Sequence, residues 1–151
     1  MSIVDRLLEL EIELPEVPTP VAAYIPALVQ GNVVRTSGQL PFKGKKLVSE
    51  GRCGTVAVTK KRAKKAARQA ALNAVAAAAN AAGGAEKLAR ATKVTVYVAS
   101  DDGFFAQPEI ANGASELLLD LFGAPHIRSA VGVAALPLNA TVEVEVEFDL
   151  A

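Results

Sequence analysis

Residues 127–150 read IRSAVGVAALPLNATVEVEVEFDL, and this stretch decides the fold. From Thr141 to Leu150 the residues alternate: Val142, Val144, Val146 and Phe148 point one way, and Glu143, Glu145 and Glu147 the other. A period of two is the side-chain period of a β-strand, so one face is built for a core and the other for water or a partner. Ile127–Ala134 predicts a second strand, joined to the first through Leu136-Pro137-Leu138-Asn139. On it Arg128, Ala130, Gly132 and Ala134 share one face, and Ile127, Ser129, Val131 and Val133 the opposite one. The expectation is that the arginine and its row of small residues lie on the sheet face the helices leave uncovered, near the row of carboxylates. That face has two readings: a half-solvated antiparallel sheet, or a subunit interface enclosing a small cavity in which the arginine offers a fork for a carboxylate.

Upstream, Thr59 is placed to cap a helix over Lys60–Ala82, ended by Gly83-Gly84. Its small apolar residues fall at 63, 66, 67, 70, 71, 74, 75, 78, 79 and 82, a 3.6-residue period. Alanines supply little transfer energy, roughly one methyl each, but they let a helix lie close to a sheet. Lys93–Val98 predicts a β-branched strand, and Pro108 opens a second helix to Phe122, closed by Gly123, with Ile110, Ala114, Leu117, Leu118 and Leu121 inward. Tyr24–Val29 and Val33–Ser37 predict two strands around Gln30-Gly31-Asn32, Pro41–Lys46 a basic loop, and Leu47–Glu50 a short edge strand. Ser2–Leu10 predicts a capped helix with Ile3, Leu7, Leu8 and Leu10 on one face, followed by an acidic connector bearing Pro15, Pro18 and Pro20. The order is that of an α+β protein, one sheet with helices on one face. Residues 1–20 form a helix and connector ahead of a single domain over 21–151.

Sixteen basic side chains balance sixteen acidic ones among 151 residues. The length suits one domain. Alanine fills 29 positions, while Cys53 and His126 are the sole residues of their types. One Cys forms no internal disulfide, and one Cys with one His cannot complete a zinc site. A single His leaves a Ser-His-Asp triad poorly supplied, and no general base is placed beside Ser129 to make it a nucleophile. Zero net charge argues against nucleic acid as a partner. The basic run KKRAKKAARQ at 60–69 reads as a solvated helix face without interleaved aromatics for base stacking. No run reaches the roughly 18 apolar residues of a membrane helix. MSIVDRLLELEIELPE, acidic and without a basic region before an apolar run, is not expected to be a signal peptide. A cytoplasmic protein with an inert free thiol is expected. His126 is expected at the surface or in packing, or bordering the cleft and tuning its charge, and Tyr97 in strand packing.

Three stretches, GNVVRTSGQLP at 31–41, ATKVTVYVAS at 91–100 and RSAVGVAALPLNATVEVEVEF at 128–148, resemble the YjgF family, also called the reactive intermediate deaminase (RidA) family. Their order and spacing agree over Val21 to Phe148, and the N-terminal helix and connector lie outside them. Together with ANGASELLLDLFG at 111–123, these look like a longer branch of the family. The resemblance implies a chorismate-mutase-like fold: a single mixed sheet backed by two long helices on one face, assembled as a homotrimer with the other sheet faces turned inward and a cleft at each interface. It implies hydrolysis of reactive enamines and imines, such as 2-aminoacrylate, to 2-keto acids and ammonia, without a metal or cofactor. Arg128 matches the carboxylate-binding arginine of the family and Glu143 the glutamate credited with holding the hydrolytic water. Tyr24, Ser37, Gly38 and Asn112 match further substrate-binding positions. Ala130 stands where many members carry a cysteine whose backbone meets the substrate. Two alternatives stay open: a non-catalytic small-carboxylate-binding or chaperone-like trimer, and the endoribonuclease or translation-inhibitor activity also ascribed to family members.

Overall fold

The structure, a computed structural model, describes residues 2–19, 22–54 and 58–151. Pro20 of the connector, and Val21 at the expected start of the domain, lie outside the described residues.

Helix α1 (Ile3–Glu9) starts as its sequence dictates. The Ser2 hydroxyl accepts from the Asp5 N–H at 3.2 Å, and the Asp5 carboxylate accepts from the Ser2 N–H at 3.2 Å, a capping box. Only Ile3 and Leu7 are buried, whereas Leu8 is 73% exposed and Leu10 also lies at the surface. The inward face is thus narrower than the four residues expected, because a helix of two turns docks along one edge. That edge meets the end of helix α3 (Gln107–Phe122), where Arg6 Nε donates to the Asp120 carbonyl at 2.7 Å.

Five strands form the main sheet: β1 (Ala27–Gln30), β2 (Val33–Thr36), β5 (Leu88–Ala99), β6 (Ile127–Val133) and β7 (Val142–Leu150), in the spatial order β1-β2-β7-β5-β6. The β5–β6 pair is parallel and the others antiparallel, so the sheet is mixed. β3 (Phe42–Lys43) and β4 (Lys46–Leu47) make a separate hairpin inside the expected basic loop, and they shorten the edge strand expected at 47–50. The first strand begins at Ala27 rather than Tyr24, immediately after Pro26, which has no N–H to give a ladder. β5 starts at Leu88, earlier than expected, and reaches its register with β7 through two irregularities between Leu88 and Lys93.

Val34, Val94, Val96, Val98, Val142, Val144, Val146 and Phe148 are all fully buried on the helix-covered face, as the alternation of the last strand requires. Above them lies α2 (Lys60–Ala82), capped by Thr59, whose hydroxyl accepts from the Arg62 N–H at 3.1 Å, and ended by left-handed Gly83 (φ 91°). Burial in α2 exceeds the predicted stripe, since Ala76 and Ala77 are also covered. The helix lies on the sheet beside α3, so its alanines touch protein both below and to one side. The two helices come close at Gly113, where a Cβ would stand 2.0 Å from the Lys64 carbonyl oxygen.

Cys53 is fully buried beside the end of β5, with its N–H donating to the Ala99 carbonyl at 2.8 Å. Burial, and then the charge of Asp101, push its thiol up to about 11. At neutral pH the thiolate is scarce and out of reach. Ellman's reagent should therefore titrate no thiol in the native chain and one after unfolding in guanidinium. Rapid native labelling would show that this part of the sheet opens readily.

Candidate functional site

β6 pairs in parallel with β5 so that Arg128, Ala130 and Gly132 stand beside Val94, Val96 and Val98. Laterally paired residues share a face, and those valines face the helices. Arg128, Ala130 and Gly132 therefore lie on the α3 side, which corrects the expectation that they sit on the uncovered face. The small residues make room for α3: a Cβ on Gly132 would come within 2.7 Å of Gln107 Nε2, and Ala130 packs against the core. The bulkier Ile127 and Val131 point to the open face, 67% and 41% exposed.

Two side chains of α3 hold Arg128. Its Nη1 donates to Asn112 Oδ1 at 2.7 Å and to Ser115 Oγ at 3.3 Å, both on α3. Ser115 Oγ also lies 2.9 Å from His126 Nε2. Among the described residues Nε and Nη2 of Arg128 make no hydrogen bond, so one edge of an exposed guanidinium remains open. Ser115 is buried, and His126 is half-buried, with Nδ1 sealed from solvent and, among the described residues, unpaired. Burial, then the charges of Arg128 and Arg90, hold the imidazole below its ordinary pKa. The fold thus brings Asn112 to Arg128, two positions the resemblance picked out separately. Ser115 had been missed, although it lies one helical turn past Asn112, at the i+3 spacing that puts two residues on one face.

A second group forms on the open face. Glu143 stands beside Tyr97 in the β5–β7 ladder, with Glu145 and Glu147 following on the same side. Burial, then the charge of Glu145, hold the Glu143 carboxyl above its ordinary range. Gly38 is pressed against it, since a Cβ there would lie 2.6 Å from the Glu143 carboxylate. Next to Gly38, Ser37 Oγ donates to the Pro26 carbonyl at 3.3 Å, and Gln39 Nε2 donates to Ser37 Oγ at 3.3 Å. Tyr97, expected to pack within the sheet, instead donates its hydroxyl to Glu145 Oε1 at 3.1 Å. Tyr24 lies in the bend before β1, 65% exposed. The structure therefore joins Arg128, Asn112 and Ala130 on one face, and Ser37, Gly38 and Glu143 on the other.

The basic start of α2 is partly neutralised: Lys60 pairs with Glu109 at 2.9 Å and Lys64 with Glu116 at 3.1 Å. These exposed pairs link α2 to α3 and offset cations at a helix end where they are otherwise unfavourable. Among the described residues no group of three His, Cys, Asp or Glu is placed to hold a metal ion, and no helix is long and apolar enough to cross a membrane.

A mixed sheet with two long helices on one face, and an arginine held at its edge by an asparagine, defines a chorismate-mutase-like α+β protein. The chain belongs to the YjgF family: the family model described as "YjgF/chorismate mutase-like, putative endoribonuclease" matches residues 4–149. That match takes in α1 and the connector, which the three quoted stretches do not. Protein TCP17 of Trypanosoma cruzi is 36% identical over 149 residues, covering 96% of this chain and 92% of that one. The crystal structure of Atu1372 from Agrobacterium tumefaciens superposes with a TM-score of 0.88 at 38% identity, covering 99% of this chain and 92% of that one. RidA from the Antarctic bacterium Psychrobacter sp. superposes with a TM-score of 0.60 at 30% identity, covering 88% and 93%.

Proposed function

We propose that the protein hydrolyses reactive 2-imino acids, of which 2-aminoacrylate is the enamine form, to 2-keto acids and ammonia. The observation that carries this reading is the Arg128 guanidinium, held through Nη1 by Asn112 with Nε and Nη2 open. Two parallel N–H donors match the two oxygens of a planar carboxylate. The iminium carbon beside that carboxylate is already electrophilic. Glu143 takes a proton from water as the water adds to this carbon, returns it to the nitrogen of the carbinolamine, and takes the hydroxyl proton as the C–N bond breaks, so that ammonia leaves, carrying that proton away as ammonium, and the keto acid remains.

Arg128 and Glu143 lie on opposite faces of one sheet, so one chain cannot bring both to one substrate. A second copy, laying its open face against the β6 edge of the first, completes the site, and a homotrimer closes that arrangement. Leu28, Ile127 and Val131, exposed on the open face, supply apolar surface for the contact. Tyr24, Ser37 and Gly38 then enter from the partner that provides Glu143. Compared with an endoribonuclease, this reading leaves fewer groups unused: two lysines of the basic run are already paired with glutamates.

The test is release of ammonia and pyruvate when purified protein meets freshly generated 2-aminoacrylate. Acceleration over buffer is expected. If pyruvate raises the melting temperature but no imine is turned over, a carboxylate-binding protein without catalysis replaces the deaminase.

The raised Glu143 carboxyl gives a pH prediction. Its base form appears only above a pH higher than that of an ordinary carboxylate, so the acid limb of kcat/KM is displaced upward. Glu145→Gln removes the neighbouring negative charge, lowers the Glu143 pKa and moves the limb toward lower pH. Burial is the larger cause and remains, so part of the displacement stays. An unmoved limb would detach it from Glu143.

A further inference from the structure

We propose that His126 is a positioning residue for Arg128, acting through the Ser115 hydroxyl, and that its neutral form is the one that holds the guanidinium in place. The inference rests on the reading of Arg128 as the carboxylate clamp. A guanidinium can only donate, so the 3.3 Å contact makes Ser115 Oγ the acceptor from Arg128 Nη1. The serine then has one hydrogen to give, and His126 Nε2 stands 2.9 Å from its oxygen. With Nε2 accepting, the order is Arg128 to Ser115 to His126, each hydroxyl atom used once. Asn112 steadies the same Nη1 from its other side.

Protonation breaks this order. Nε2–H then donates to Ser115 Oγ, so the serine must accept from both of its partners and turn its hydrogen elsewhere. A second cation also stands against the guanidinium. The charged groups facing the ring are Arg128 of β6, the strand that His126 precedes, and Arg90 of β5; from α3 it meets the uncharged Ser115, while the next residue, Glu116, is paired with Lys64 of α2. Among the described residues no carboxylate pairs with the imidazolium, and the Nδ1–H that the neutral ring already carries, sealed and without an acceptor, becomes costlier once the ring is charged. The device is local to this chain's own residues: Ser115 is buried in α3, and His126 sits two positions before the arginine it steadies.

The experiment measures pyruvate binding by NMR titration at pH 7.5 and pH 5, together with 15N relaxation of the Arg128 guanidinium in the ligand-free protein. His126→Ala and Ser115→Ala should each weaken binding about tenfold at pH 7.5, the size of one hydrogen bond to a charged group, and the double variant should be no weaker than either single one. His126→Gln, which keeps an acceptor near the Nε2 position, should restore binding and lose its pH dependence. Wild-type binding should weaken on going to pH 5. Arg128 should be more mobile in His126→Ala than in wild type. Additive losses with unchanged Arg128 mobility would reduce His126 to packing, and tighter binding at pH 5 would make it a second cation; either overturns the proposal. If wild-type protein binds no pyruvate while Arg128 loosens in His126→Ala, the clamp reading fails and the positioning contact stands.

Discussion

Arg128→Lys should lower kcat/KM for 2-aminoacrylate by on the order of 100-fold, and weaken pyruvate binding similarly, while leaving the fold intact. Lysine keeps the positive charge, so the prediction isolates geometry. A guanidinium donates through Nη1 to Asn112 and still presents two parallel N–H groups to a carboxylate, whereas an ammonium pinned by Asn112 offers no planar fork. The side chain is exposed at the edge of the sheet, so the apolar core is untouched. Steady-state kinetics, calorimetric titration with pyruvate and a thermal melt decide the matter together. A lysine variant within threefold of wild type would mean that Arg128 serves only as a charge.

The second large effect concerns stability. Gly113→Ala should lower the melting temperature by about 5–10 °C, equivalent to an overpacking cost of about 1–3 kcal/mol in a chain of this size. On helix propensity alone the change should help, since alanine is favoured over glycine by about 1 kcal/mol in a helix interior. The new Cβ would, however, stand 2.0 Å from the Lys64 carbonyl oxygen and 2.9 Å from its carbon, and backbone cannot swing aside as a side-chain tip can. The helices must part, and Asn112, the preceding residue, moves with α3. Weaker pyruvate binding is thus expected alongside the lower melting temperature. A higher melting temperature would show that α2 and α3 separate at no cost and that propensity wins.

Local signals in the chain carried most of the fold. Thr59 and Gly83 bracket α2 as a capping oxygen and a left-handed terminator must, and Val142 to Phe148 alternate with glutamates strongly enough to fix which face goes inward. The misplaced element was β6. The more apolar face of IRSAVGV, with Ile127, Val131 and Val133, is the one left open, and the face with Arg128, Ala130 and Gly132 is the one that turns to the helices. Hydrophobicity favoured turning the large residues in, but proximity to α3 selected the small ones. That choice is tertiary, and no periodicity within seven residues encodes it. Asn112 and Arg128 were legible as positions of a resemblance, without any sign that they meet. Ser115 and His126, eleven residues apart, come together only because α3 turns at Gly123 and returns as β6. The opposite placement of Arg128 and Glu143 likewise depends on which partner β6 takes, and that depends on the whole sheet.

The alanine-built α2 also sets how the protein tolerates genetic change. In a core of leucines and phenylalanines most random substitutions remove volume and leave holes. At Ala63, Ala66, Ala67, Ala70, Ala71, Ala74 and Ala78, all completely enclosed, nearly every substitution adds it. Damage along this helix should grow with the size of the incoming side chain, with serine and glycine the mildest replacements and leucine among the worst. A saturation library over α2 would then show the inverse of the usual mutational spectrum, in which large residues are the ones a core retains.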